Sequence, residues 1–306
     1  MSASTLPGPG GPRPRYLSGL ALAAAGSIMF SAKAIIVKLA YRYGVDPVTL
    51  IALRMLFALP FFVAVALAVG RGPAHARVAG DGWRVFGMGL TGYYLASLLD
   101  FYGLQYVSAG LERVILYLNP TLVMLISVLV LRKPIGRRQW LALAIAYAGV
   151  FTVFSHDLSL SGENVPIGTA LVFASALLYA VYLVSAGELI ARIGTMRLTA
   201  WASIVACLLC VLHALATAPA ALFAQPWQVY GLSLVNGVFC TVVPIFLVMM
   251  AIERVGSASA SQTGMVGPVA TIAMAAVVLG EPVTGVQLIG TAVVMAGVFI
   301  LTTWKT

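Results

Sequence analysis

Five ionisable residues stand inside long apolar runs of this chain: Lys33, Arg54, Asp100, Glu112 and Arg113. Each is costly in hydrocarbon, by roughly 2.5–3.5 kcal/mol for Lys, Arg or Asp at mid-span. Residues kept at that cost have two chemical uses. They pair with opposite charges and tie helices together, for example Lys33 with Asp100 and Arg54 with Glu112. Or they line a polar cavity, where cations bind a carboxylate or phosphate and carboxylates exchange protons. Three cations face two anions, a formal excess of +1 that favours an anionic guest. For Arg113 there is a third option, because its long side chain can snorkel to a membrane surface. At 1.5 Å per residue, Lys33 and Arg54 each lie about 10 Å, and Asp100 about 9 Å, from the same ends of their runs. Glu112 lies about 6 Å from the start of its own run, nearest the surface.

The neutral candidates are Tyr117, Asn119 and Gln262. Tyr117 and Asn119 adjoin Pro120 in mid-run, and the Gln262 amide wants two partners. Pro120 and Pro268 each remove an intrahelical bond, freeing the carbonyls of Leu116 and Gly264. A kink for packing and a contact with substrate are equally open there. Tyr93, Tyr94, Tyr147, Tyr179 and Tyr182 are polar-tipped aromatics suited to interfacial anchoring. Cys207, Cys210 and Cys240 lie in apolar runs and read as small packing residues. There is no HExxH, no phosphate-binding loop and no nucleophile elbow, so no enzyme activity, cofactor or metal is expected.

These residues must be positioned by elements suited to their solvent. Of 306 residues, 61% are apolar and 9% charged, against about 45–50% and 25% in a soluble domain. A soluble enzyme, a disordered chain and a disulfide scaffold are excluded; an all-α integral membrane protein remains. Apolar runs fall at 16–40, 47–69, 83–106, 108–131, 137–154, 166–187, 198–218, 227–251, 257–279 and 284–303, predicting ten transmembrane helices. Gly44-Val45-Asp46-Pro47, Arg132-Lys133-Pro134 and Gly280-Glu281-Pro282 punctuate them. The net charge of +9 comes from Lys and Arg between the runs, a pattern of membrane orientation and not of nucleic-acid binding. With both termini in the cytoplasm of a multi-pass cell-membrane protein, 13 of the 18 basic residues are cytoplasmic, and only Lys38 and Arg42 are outside.

The chain also repeats itself. Residues 107–151 laid on 255–299, an offset of 148, give 11 identities in 45 positions. They include Pro120 with Pro268, Pro134 with Pro282, and Ala148-Gly149-Val150-Phe151 with Ala296-Gly297-Val298-Phe299. Five spans per half is an odd number, so the second half enters the membrane inverted, an arrangement common in secondary transporters. The expected organisation is a disordered cytoplasmic tail at 1–15, a first five-helix repeat at 16–154 and an outer linker at 155–165. A second repeat at 166–303 and a cytoplasmic end at 304–306 complete it.

Tyr106-Val107-Ser108-Ala109-Gly110, then Leu118-Asn119-Pro120 and the repeat itself, resemble the EamA branch of the drug/metabolite transporter superfamily. Arg54 is similar to that branch's second-helix arginine, Lys38 to its first-helix-end lysine, and Gly280-Glu281-Pro282 to its acidic turn. The resemblance implies ten helices, a central cavity, and export or uptake of small metabolites. The first helix carries Lys33 where small multidrug-resistance relatives carry a glutamate. The expected function is secondary transport of a small molecule, an amino acid or other carboxylate, by alternating access across the lipid bilayer. The rivals are a carrier of a lipid-linked anion and, from another class, a membrane-embedded enzyme or sensor. A homodimer is left open.

Overall fold

The computed structural model describes residues 13–70, 80–131, 136–161 and 163–303. Most of these residues are helical, with no strand among them. In chain order the helices are α1 (Arg13–Tyr41), α2 (Pro47–Gly70), α3 (Gly82–Met88), α4 (Ala96–Gly103), α5 (Ala109–Leu116), α6 (Asn119–Leu131) and α7 (Arg137–Ser161). The second half holds α8 (Val165–Ile193), α9 (Thr195–Thr217), α10 (Trp227–Gly237), α11 (Val243–Thr263), α12 (Val266–Met274) and α13 (Gly285–Thr303). Wider π turns join α3 to α4 (Gly89–Leu95) and α10 to α11 (Val238–Val242), and another follows α12 (Ala275–Leu279).

Seven described helical segments are long and apolar enough to cross a membrane, and Val266–Leu279 and Gly285–Leu301 are shorter apolar helices. Helix is the element that satisfies every backbone donor and acceptor within one segment, which hydrocarbon demands. Large apolar side chains on the outside, such as Leu129 at 79% and Val277 at 86% exposure, have only lipid to face.

The turns form where the sequence marks them. Asp46 accepts from the Thr49 amide (2.9 Å) and Pro47 opens α2, a capped start with its fixed φ already helical. Gly44 and Gly280 adopt φ of 76° and 73°, conformations in which a side chain is strained. The Arg132-Lys133-Pro134 turn lies outside the described residues.

Several boundaries differ from the hydropathy reading: α1 begins at Arg13, inside the expected tail, and α8 runs on to Ile193. Residues 155–161, expected within a linker, continue α7, and His156 and Asp157 find polar partners there. No coil separates 251 from 257; α11 keeps helical hydrogen bonding to Thr263. At the matching place in the first half, Ser108 accepts from Leu111 N (3.0 Å) and caps α5. Its counterpart at the 148 offset is Gly256, which has no side chain to cap a new helix. The chain still turns back. Pro244 and Val248 lie against Gly26 and Val255 against Gly19, whereas Gly264 and Gly267 accept from Ser27 and Ser31. Residues 244–255 therefore run down α1 and residues 264–267 run up it.

The equivalent helices of the two halves pack antiparallel. Along α2 and α9, Met55 meets Cys207 and Val69 meets Arg197. Along α7 and α13, Gly149 meets Gly290 while Gly297 meets Ala142 and Ala146. A Cβ on Gly149 would lie 2.7 Å from the Gly290 oxygen, and one on Gly297 would lie 2.8 Å from the Ala142 oxygen. The duplicated Ala-Gly-Val-Phe motif is thus the contact between the repeats, where small residues let helix backbones meet without solvent to drive them together. Gly149→Val and Gly297→Val are each expected to destabilise the protein by roughly 1–3 kcal/mol through overpacking. Melting in detergent checks this. Gly285→Val, whose Cβ meets nothing within 4 Å, should melt like the parent.

Candidate functional site

A cavity of about 310 Å³ lies between the halves. The first half contributes Phe30 and Lys33 from α1, Arg54, Met55 and Phe62 from α2, Gly92 and Tyr93 from the first π turn, and Ser97 and Asp100 from α4. Arg113 and Leu116 of α5 and Asn119 of α6 complete that side. The second half contributes Ser175 and Tyr179 of α8, Ser203 and Ala206 of α9, Cys240 and Thr241 of the second π turn, and Ile245 of α11. Every charge on this wall belongs to the first half.

The ion pairing differs from the expected scheme. Lys33 Nζ contacts Asp100 Oδ2 at 2.6 Å and Glu112 Oε1 at 2.9 Å, so one ammonium holds both carboxylates. Arg54 does not reach Glu112. Its Nε donates to Thr241 Oγ1 (3.0 Å), and its guanidinium carbon lies 5.3 Å from the centre of the Phe101 ring. Lys33 outcompetes Arg54 because α5 brings Glu112 against α1, while α2 aims Arg54 across the cavity at the opposite half. Glu112 is only 1% exposed, so its distance from the start of its run does not make it a surface group. The turn over it, held by Lys38 and Asp157, buries it. Arg113 borders the cavity instead of snorkelling, with its guanidinium against Gly267.

With both carboxylates on Lys33, two guanidiniums remain. Arg54 Nη1 and Arg113 Nε are buried without a hydrogen-bond partner among the described residues. Both residues line the cavity, and buried donors left unpaired carry a cost that an anionic acceptor reaching them would remove. Asp100 Oδ1 and Asn119 Oδ1 are buried acceptors in the same condition.

The backbone is irregular around this cavity in both halves at matched places. Each proline sits in the first turn of a fresh helix, after a break at Tyr117–Leu118 or Gly264–Met265, and does not merely kink a continuous one. The freed carbonyls find partners: Asn119 Nδ2 donates to Leu116 O (2.7 Å), and Ser27 Oγ to Gly264 O (2.7 Å). The two π turns put Tyr93 and Thr241 on the wall, positions 148 apart. The Thr241 hydroxyl donates to Asn236 O (2.9 Å), five residues back, which leaves its lone pair for Arg54.

Lys33, Arg54, Asp100 and Asn119 thus meet at one cavity, as does the Pro120 break. Tyr117 packs instead against the apolar cluster around Leu111 and Val153. The side chain of Gln262 lies outside the described residues. Ser97, Ser175, Ser203, Tyr179 and Thr241 were not singled out for the wall. Thr241 was within reach, since the repeat offset applied to Tyr93 finds it.

Polar ties join the halves at both ends of the bundle. At one end Lys38 Nζ pairs with Glu281 (3.2 Å) and donates to Val107 O (2.7 Å), and Arg42 donates to Leu279 O (2.7 Å). At the other, Arg192 pairs with Asp81 (3.1 Å) and Arg254 donates to Ser18 (3.0 Å).

Removing the shared ammonium strands two buried carboxylates, whereas removing one carboxylate leaves a pair. Lys33→Met is therefore expected to cost about 3–5 kcal/mol, and Asp100→Asn much less. Chemical denaturation of the two purified variants side by side checks the order, and equal losses would contradict the shared-ammonium geometry.

The model of the EamA-like transporter family matches residues 17–155 and again 166–303. The uncharacterized transporter YcbK of Bacillus subtilis is 32% identical over 288 residues, covering 91% of this chain and 89% of that protein. An uncharacterized transporter of Archaeoglobus fulgidus is 23% identical over 265 residues, covering 86% and 92%. A solved protein structure matches with a TM-score of 0.64 at 18% identity, over 93% of this chain and 96% of that one, a likeness of fold. With two copies of the family's unit across nearly its whole length, packed around one cavity, the chain belongs to the EamA-like transporter family.

Proposed function

We propose that this membrane transporter carries a small carboxylate-bearing metabolite, amino acids among the candidates, by alternating access through the cavity between its halves. The single observation that supports this is the pair of guanidiniums on the cavity wall, buried Arg54 and half-buried Arg113, left without carboxylate partners among the described residues because Lys33 holds both acids. A monoanion bound there cancels the formal excess of +1 in the layer. The volume of about 310 Å³ suits a metabolite and is small for a lipid-linked chain. Ties between the halves at both ends supply what alternating access needs, contacts that break at one end while the other stays shut.

The same reading takes the chain as ten crossings in two inverted five-helix repeats. The seven long spans, the two shorter apolar helices and the broken segment 82–103 make that number. Antiparallel packing of α2 with α9 and of α7 with α13 supports the inversion. Both termini are then cytoplasmic in the cell membrane, and Lys38 and Glu281 lie at the outer face. A reporter fused after Lys305 should signal cytoplasm and one inserted after Glu163 the outside; the same side for both refutes the inversion.

A thermal-shift screen of carboxylate metabolites, followed by uptake of any hit into sealed vesicles, tests the substrate class. Arg54→Gln and Arg113→Gln should each cut uptake of that hit by about tenfold or more, the worth of a charged hydrogen bond. Uptake that survives both changes removes the guanidinium site. Failure of every water-soluble carboxylate to enter the vesicles would favour the lipid-linked anion.

A further inference from the structure

A second cavity, of about 500 Å³, lies between α3 and α8. It is set end to end with the first. From α3 through the π turn to α4, Arg84, Gly87 and Thr91 line the second cavity, and Gly92, Tyr93 and Asp100 line the first. On α8 the order is reversed: Ser175 and Tyr179 line the first, then Tyr182, Ser185 and Leu189 the second. At 1.5 Å per residue the second lining takes up about 10 Å of each segment. Just past its far end Asp81 pairs with Arg192 (3.1 Å).

Tyrosine separates the two cavities. Tyr93 and Tyr179 stand on the first wall and Tyr182 on the second. The Tyr182 ring packs on both, its centroid 5.1 Å from that of Tyr93 and 5.6 Å from that of Tyr179. The hydroxyls of Tyr93 and Tyr182 lie 3.3 Å apart. The ring is seated on the backbone of Gly92, where a Cβ would overlap it.

The second cavity is unlike a packing gap or a lipid face. Small residues in membrane helices serve to bring backbones together, yet a Cβ on Gly87 would meet nothing within 4 Å. Among the described residues, its exposed lining is polar at Arg84 and Ser185 and apolar only at Val181. We propose, on the alternating-access reading above, that this cavity is the vestibule through which the site between the halves reaches water at that end, and that Tyr182 is the gate between them. With its ring turned off Gly92 the tyrosine layer opens, and the two cavities become one path with the Asp81–Arg192 pair at its mouth. In the orientation proposed above, that mouth is cytoplasmic. Tyr182 acts by blocking the way and needs no contact with the substrate.

Thiol labelling in sealed membrane vesicles of either orientation tests this without a substrate. In a chain with Cys207, Cys210 and Cys240 replaced by Ala, a single cysteine is placed at Gly87, where there is open space, or at Ser97 on the wall of the first cavity. A membrane-impermeant methanethiosulfonate should modify Gly87→Cys quickly from one face. From that face Ser97→Cys should react slowly, and adding Tyr182→Ala should speed it by about tenfold or more. Adding Gly87→Trp as well should cancel that gain by filling the vestibule. Tyr182→Leu, which keeps apolar contact with the cluster around Met88 and Leu189, carries the same expectation where Tyr182→Ala fails to fold. An unreactive Gly87→Cys means a groove filled by lipid and overturns the vestibule. A Ser97→Cys rate that removal of the Tyr182 ring leaves unchanged, or raises from both faces alike, overturns the gate. Uptake of a metabolite hit alongside either result would leave the proposed function standing and remove only this route.

Discussion

The site rests on how a few charges are shared out in a medium that solvates none of them. Lys33 lies between Asp100 and Glu112 and takes both. In water such a contact would be worth little. Among buried helices it decides which charges are satisfied and which stay available. The two acids are committed to α1, and Arg54 and Arg113 line the cavity, each with a buried donor unpaired among the described residues. Had Arg54 captured Glu112, the layer would have closed on itself with only Lys33 and Asp100 beside it, and the cavity would have presented far less free positive charge.

The supporting framework is a pair of repeats that agree in backbone and differ in chemistry. Both halves interrupt a helix just before a proline, and both loosen another into a π turn at the cavity wall. Irregular backbone inside a membrane is tolerable only where other groups satisfy it. Here Asn119, Ser27 and Ser31 do so, and two of them reach across from α1 to the second half. The breaks are therefore also joints between the repeats. The charges on the cavity wall are confined to the first half; the second adds hydroxyls, a tyrosine and apolar bulk there. A duplicated scaffold specialised on one side explains why an ionic layer coexists with a repeat that lacks it. Thr241 shows the division, since a neutral hydroxyl at the π turn of one half orients the arginine of the other.

Glycine and alanine carry the association of the halves. Gly149 and Gly297 sit where helix backbones touch, and Gly267 leaves room for Arg113 beside Ser27 and Ser31. Lipid gives no hydrophobic drive toward helix pairing, so close van der Waals contact must supply it. That is why the duplicated motif places a glycine, Gly149 or Gly297, at the seam, while its phenylalanines, Phe151 and Phe299, are exposed on the outside.

The amino-acid sequence by itself determined the class of the protein, its helical spans, its duplication and the charged layer. Each of these is a local property: apolar runs, turn residues at Gly44 and Gly280, a fixed offset of 148, and ionisable residues within spans. Lys33, Arg54, Asp100 and Asn119, which line the cavity, were legible as candidates because burial of such groups is anomalous wherever it occurs. What one-dimensional spacing does not hold is the rotation of each helix about its axis. That rotation turned Tyr117 into an apolar cluster, against expectation, and decided between the cavity and the membrane surface for Arg113 in favour of the cavity. It also gave Glu112 to Lys33, although depth alone allowed Arg54 as well. The continuous hydrogen bonding through Gly256 escaped notice for a different reason, since the missing cap shows only against Ser108 in the other half. Tertiary structure alone decided which ions pair, because a charge in hydrocarbon takes the partner that neighbouring helices place within about 3 Å, and no depth along a single helix contains that distance.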